Sequence, residues 1–434
     1  MSGASTRSIG PHGAAGAAAL LVVLLSGCAR PEPPRGGEPD RIPPAIVEVS
    51  PEAFSVAPAA TGPIRIRFNE RISERLAVGQ LSDAVLVSPE TGAVRVEQDR
   101  DALTVHLAGG LRPGVVYRVT VRPVIRDLFG NTMRQPFEFV FSTGAAIEET
   151  AVAGLVIDRI TGRPVPDVRV EATERGEDVD AEVSLVHVAR TDSTGTYTLR
   201  YLPPGSYALL GYQDRNRNRV LDPSEPRGRT TFDLAPADTA FADFHVMDPD
   251  TTPARPTGAE VVDSVTVRLT FTHYLDPDAP LAQVGVALDR ADGEPSAPGV
   301  LQLLHEHRWV EMRQAAQEPP PPVADPTVPG GPPPAPGPPA AAGADPPTPG
   351  AAAQPRISFV GRAPGADTVT ASLLGITLPS RVLYAEFSAP LLPEVPYVLR
   401  LQGAANLWGI PSLMDSVEVV RAPLPVAPQP PGSR

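Results

Sequence analysis

Lysine is absent from this chain: all 37 of its basic residues are arginine. That absence excludes a phosphate-binding P-loop, a Schiff-base lysine and a Ser-x-x-Lys pair. Cysteine occurs once, at Cys28, so no intrachain disulfide can form. No Gly-x-Ser-x-Gly elbow and no His-Glu-x-x-His pair occurs, which leaves hydrolase chemistry without a visible seat. The formal charge is -13 with no basic stripe, which argues against a nucleic-acid partner. What the chain has in excess is proline, 55 residues in 434. Proline is costly inside helices, so the chain is expected to be strands, turns and linkers.

The single cysteine has a telling context. Arg7 supplies a short positive start, Ala14 to Leu25 form an apolar run, and Leu25-Ser26-Gly27-Cys28 follows. The run is shorter than the roughly 20 residues a spanning helix needs. These features resemble a bacterial lipoprotein signal, residues 1–27, ending in its lipobox. The resemblance implies cleavage before Cys28, lipid on its thiol and amine, and a membrane partner held through that anchor. Ala29 is not the aspartate that retains many such proteins at the inner membrane, so the outer membrane, on its periplasmic or surface face, is the expected location. Residues 28–42 are rich in Pro and Gly without apolar periodicity and read as a tether.

From residue 43 to 145 short alternating stretches take over. Ile64-Arg65-Ile66-Arg67-Phe68, Val94-Arg95-Val96 and Leu103 to Leu107 each put alternate residues on one face. Turn signals separate them at Thr91-Gly92, Gly109-Gly110 and Pro113-Gly114, a spacing that suggests a β-sandwich. The set Pro43-Pro44, Val47 to Pro51, Phe68-Asn69-Glu70, Leu111 to Val121, Asp127 to Asn131 and Phe137 to Thr143 resembles the bacterial Ig-like domain of surface-layer and other envelope proteins. Asp127 and Gly130-Asn131 read as turn chemistry, and Tyr117 as a buried aromatic with its hydroxyl at the edge.

Residues 146–248 carry Gly154 to Asp158, Thr161 to Val165, Thr191 to Leu199 and Leu202 to Tyr207. Together they resemble the carboxypeptidase regulatory-like, transthyretin-like sandwich, which implies a spacer or adhesion unit without catalytic residues. After a linker at 248–258, residues 249–422 read as a diverged second copy of the first domain. Val265 to Phe271 parallels Ile64 to Phe68, Leu391 to Leu401 parallels Leu111 to Val121, Asn406 to Gly409 parallels Asp127 to Gly130, and Val417 to Val419 parallels the closing strand. A proline-rich insert at 312–355, densest from Glu318, has nothing to fill a core and is expected to be disordered. It is either a ligand or spacer, or a neutral low-complexity expansion. Residues 423–434 read as a disordered tail. The expected class is all-β, three tandem β-sandwiches with disordered proline-rich segments.

One stretch, QDRNRNRVLDPSE at 213–225, has metal-loop spacing. Counting from Asp214, the positions of an EF-hand-type calcium loop fall on Asp214, Asn216, Asn218, Val220 through its carbonyl, Asp222 and Glu225. Arg219 stands where such loops need glycine. Two readings stand: a weak structural calcium site with the arginines turned outward, or a solvated hairpin laced by surface pairs. Beyond that calcium no cofactor is expected. His305-Glu306-His307 reads as strand or loop decoration, because no further ligand accompanies the pair, and Trp309 and Trp408 read as core. The function these features imply is a non-catalytic, lipid-anchored envelope protein that binds, scaffolds or adheres to an envelope protein or glycan. The alternatives are an accessory subunit of an envelope hydrolase and a carbohydrate-binding protein.

Overall fold

A computed structural model of the chain describes residues 3, 38–175, 185–295, 297–317 and 359–423. Cys28, its apolar run, residues 318–355 and residues 424–434 lie outside the described residues. The first domain is a two-sheet sandwich. One sheet has the order β1 (Ile46–Ser50), β2 (Ile64–Phe68), β5 (Ala102–Leu107), β4 (Val94–Gln98); the other is β3 (Val85–Ser88), β6 (Val116–Val121), β7 (Phe137–Ser142). Strand β2 shows why it forms. Ile64, Ile66 and Phe68 are buried while Arg65 and Arg67 face water. All of β3 is buried, because its second face is covered by the next domain. Residues 40–42, assigned to the tether, already belong to the sandwich: the Asn131 amide donates to the Asp40 carbonyl, and Asp40 Oδ1 accepts from Ile42 N.

The second domain pairs the sheet β10 (Val186–Arg190), β9 (Arg169–Arg175), β12 (Gly205–Tyr212), β13 (Arg227–Leu234) with a second sheet. There β8 (Ala151–Asp158) lies between β11 (Thr196–Arg200) and the short parallel strands β14 (Thr239–Phe241) and β15 (Phe244–Val246). Its core gathers Val156, Val170, Leu199, Tyr207 and Phe244.

The third domain repeats the first strand for strand. Its sheets are β16 (Pro256–Val261), β17 (Thr266–Leu275), β20 (Ser380–Phe387), β19 (Val300–His305), and β18 (Gly285–Arg290), β21 (Pro396–Gln402), β22 (Asp415–Val420). The linker expected at 248–258 is part of this fold, since β16 starts at Pro256 and Asn406 Nδ2 donates to the carbonyls of Asp250 and Thr252. The tight β4–β5 turn of the first domain is replaced here by helix α1 (Glu306–Gln317), the undescribed segment and helix α2 (Thr368–Leu373). Residues 312–317, assigned to a disordered insert, are therefore the last turns of α1. The helix is seated by Glu306, which is 1% exposed and accepts from Val360 N, Gly361 N and the Ser380 hydroxyl. Trp309 is stacked on Tyr384 with ring centroids 4.0 Å apart.

Candidate functional site

Strands β12 and β13 leave the 213–225 loop at the edge of the second domain, and the loop bends sharply. Arg217 and Arg219 both take left-handed φ, 61° and 62°. Such a conformation costs a non-glycine residue about 1–2 kcal/mol. Asp214, whose side chain has no exposure, holds the bend by accepting from Asn218 N (3.0 Å) and Arg219 N (2.9 Å). Glu225, 3% exposed, ties the two ends by accepting from Arg215 N and Asp222 N. The Asn216 and Asn218 side-chain amides converge on Asp222 Oδ2 at 2.5 and 3.0 Å. Positions 3, 5 and 9 therefore meet at one point, while Val220 at position 7 is exposed. The asparagine oxygens accept from Asn218 N and Val220 N, so an ion would share them with these turns. The residue types are those a hard cation takes, but here Asn216 and Asn218 present amide nitrogens, not oxygens, to Asp222.

The arginines of the loop correct both sequence readings, because Arg217 and Arg219 do not point into solvent. Arg219 donates to the carbonyls of Ser82 and Val85 in the first domain and lies 3.6 Å from Glu90. Arg217 Nη1 lies 3.6 Å from Asp83 Oδ2. Only Arg215 makes an exposed pair, with Asp248 at 3.0 Å. A glycine at 219 would ease the backbone and lose the reach to the neighbouring domain.

The loop is one side of a buried ionic joint between the first two domains. Arg169, 1% exposed, meets both carboxylate oxygens of Glu90 (3.3 and 2.5 Å) and Glu171 at 2.6 Å. Burial opposes the charge on Arg169, but these two carboxylates hold its guanidinium protonated above the usual range. Arg190 reaches Asp167 at 3.0 Å, Asp214 at 3.7 Å and Asp83 at 3.8 Å, which links the loop to the rest of the joint. Arg118 of β6 donates to the carbonyls of Thr198 and Val188, and Ser88 Oγ accepts from Val188 N. His187 is buried just behind; burial first, then the Arg118 charge, push its pKa down to about 4.

The second joint is built differently. Arg159 donates to Thr377 O (2.6 Å), Asp367 N donates to Thr161 O (2.7 Å), and Gly162 sits at φ 70° where a Cβ would come 2.5 Å from Asp367 O. Trp408 Nε1 donates to Asp248 O (2.8 Å) beneath the Arg227 guanidinium. Trp408 is thus a partly exposed joint residue instead of core, whereas Trp309, 7% exposed, is core as expected. His245 lies at this joint, and burial, then Arg159, push its pKa down to about 4.

Two other groups complete the inventory. His305 closes β19 and His307 is the second residue of α1, so the pair does not share a strand; their rings stack at 5.7 Å, and His305 Nε2 bonds the Ala279 carbonyl. The acidic group Asp40, Glu70 and Asp127 brings carboxylate oxygens within 4.8 Å of one another. Sequence reading missed this trio, because Asp40 lay in the supposed tether. Asp127 serves the turn it was expected to serve: despite burial, bonds from the Asn131 side chain and from Asn131 N and Phe129 N keep its carboxyl below the usual range. Among the described residues no helix is long and apolar enough to cross a membrane.

Residues 40–143 match the family model of the bacterial Ig-like domain, and residues 151–238 match that of the carboxypeptidase regulatory-like domain. No curated protein matches the chain. Among solved structures it is similar to the MG0-NIE-MG1 domains of Escherichia coli alpha-2-macroglobulin, at 13% identity over 58% of this chain and 85% of that one, with a TM-score of 0.18. The N-terminal part of the bacterial S-layer protein SbsC shares 13% identity over 46% and 45%, TM-score 0.18. The Bacillus cereus major pilin subunit BcpA shares 10% over 48% and 71%, TM-score 0.16. The chain spans less than half of that S-layer fragment, and similarity this distant carries no argument about activity.

Proposed function

We propose that this Ig-like domain, followed by a regulatory-like domain and a second Ig-like copy, forms a non-catalytic scaffold of the bacterial cell envelope. Lipid on Cys28 anchors it to the outer membrane, and it presents its domains to an envelope protein or glycan. The observation that carries the reading is the first joint. A flexible carrier of independent modules has no need to bury Arg169, Arg190, Asp83 and Asp214 between two domains, since burying ions is costly unless they are well paired. A scaffold that must hold a fixed spacing does. In this reading calcium binds the 213–225 loop through Asp214, Asn216, Asn218, the Val220 carbonyl, Asp222 and Glu225. It would neutralise loop carboxylates and stiffen the backbone from which Arg217 and Arg219 reach across.

Detergent phase separation of the mature protein tests the anchor. The wild-type chain should enter the detergent phase, and Cys28→Ser should move to the aqueous phase. A wild-type chain already in the aqueous phase refutes the anchored reading.

A further inference from the structure

The turns at the base of the two Ig-like domains align bond for bond. Met133 N bonds Ile125 O as Ser412 N bonds Ala404 O, and Ser73 N bonds Arg126 O as Asp276 N bonds Ala405 O. Val124, Ile125 and Arg126 of the first domain are therefore Gly403, Ala404 and Ala405 in the third, and Met133 is Ser412. Larger side chains have become small at one place in the repeat. In the first domain Val124, Ile125 and Met133 are buried in the core. The loop after β2 closes over them, with Ala77 N bonding Val124 O.

In the third domain the same place is a cavity of about 190 Å³, with the exposed Pro280 and Pro411 in its wall. Leu275, Leu383 and Ala404 are its buried lining, and Asp276, Gln283 and His305 bring polar side chains. The loop after β17, residues 276–284, is shorter than its counterpart, residues 73–84, and accounts for one of the changes. Gly403 sits at φ 88°, where a Cβ would come 3.0 Å from Gln283 O. That contact explains the glycine and leaves the two alanines, which border open space, without a packing reason.

His305 stands where the first domain has Gln98. Each ends its edge strand paired with the matching leucine, Leu383 or Leu103. The Ala279 carbonyl accepts from His305 Nε2, so the neutral ring keeps a lone pair on Nδ1. An apolar floor with a few polar groups on the wall is the makeup of a small-molecule site. A dry apolar cavity of roughly 150 Å³ admits benzene, so the size here suits one ring. Imidazole and carboxylate both offer lone pairs, which matches a ligand that donates a hydrogen bond.

We propose that this cavity binds a single-ring aromatic molecule with one hydroxyl donor. The ring lies on Leu275, Leu383 and Ala404, and the hydroxyl faces the wall of His305 and Asp276. The site belongs to the third domain alone and needs neither the lipid anchor nor calcium in the 213–225 loop. Phenol, titrated into the full chain with methyl-labelled leucines, tests it. The Leu275, Leu281 and Leu383 resonances should shift and saturate at millimolar phenol, while Leu103, the counterpart of Leu383, stays in place. Benzene, which has no donor, should require several-fold higher concentration. Ala404→Ile restores the first domain's residue and should abolish the shifts; Ala405→Leu, at a half-buried position, is a second way to fill the space should the first variant not fold. No shift at these leucines up to the solubility limit of phenol overturns the site. So do shifts that spread equally to Leu103, or that persist once the cavity is filled. Benzene binding as tightly as phenol overturns the assignment of a hydroxyl donor.

Discussion

The first and third domains share a strand order and differ in what they have been made to do. Their structural bonds coincide. Tyr117 and Tyr397 are both buried, and each hydroxyl accepts from the backbone five residues back, at Arg112 N and Leu392 N. Ala45 N bonds Asn69, and Arg255 N bonds Thr272. At the base, Asp40, Glu70 and Asp127 of the first domain become Asp250, His273 and Asn406 in the third. Three carboxylates are thus reduced to one, with His273 3.8 Å from Asp250. The copies also meet the middle domain by different means. The first uses a network of buried ion pairs through the face of β3 and β6; the third uses one buried arginine, Arg159, bonded to Thr377 O and 3.5 Å from an exposed Asp278, with a backbone contact at Gly162 and a tryptophan at its base. The fold tolerates exchange of its surface chemistry as long as the bonds that close its turns are kept.

The largest test of this difference is Arg169→Ala. It strands Glu90 in a joint where Arg169 was its closest partner, and breaking a buried pair from one side costs about 3–5 kcal/mol. Denaturant unfolding should show the first domain separating from the second while the second joint persists. Acidification should loosen both joints. His187 and His245 have pKa values pushed below the ordinary 6.5, so each stays neutral in the fold and takes up a proton on unfolding. Their stability is present above about pH 6.5 and is lost as pH falls toward 4. For the fully buried His187 this amounts to about 3 kcal/mol by linkage. His187→Phe should flatten that part of a stability–pH profile measured by calorimetry.

Smaller effects probe the repeat itself. Tyr117→Phe and Tyr397→Phe should cost the same, about 1 kcal/mol each for one hydrogen bond. Unequal losses in matched melting curves would mean that the two corners are not equivalent. The smallest effect belongs to Glu70. Burial, then Asp127 and Asp40, raise its pKa, so the fold favours its neutral form, and the benefit is lost as pH rises through the folded value. Glu70→Gln should therefore stabilise the first domain slightly at pH 7 and leave it unchanged below about pH 4, where wild type is neutral as well.

Much of this was legible because β-structure announces itself locally. Strict alternation marked β2, β4 and β5, and the turn residues Gly92, Gly110 and Gly114 all take positive φ. The loop spacing singled out Asp214 and Glu225 as calcium ligands; in the fold both carboxylates accept backbone N–H bonds of the loop itself. What stayed hidden depends on distant chain. Helix α1 has charges around its whole circumference and no apolar stripe. It is held by Glu306 on three backbone and hydroxyl donors and by Trp309 on Tyr384. The arginines at 217 and 219 look solvated in sequence, and only the placement of Asp83 and Glu90 about 130 residues earlier turns them inward.

The measurement that tests the account most directly is calorimetric unfolding of residues 38–250, in calcium and in chelator. The account predicts one cooperative transition, moved several degrees upward by calcium at ten times its dissociation constant, where linkage supplies roughly 1.4 kcal/mol. Glu225→Gln should abolish the shift. Two separate transitions that ignore calcium would contradict it, leaving the 213–225 loop an ordinary turn between independent modules.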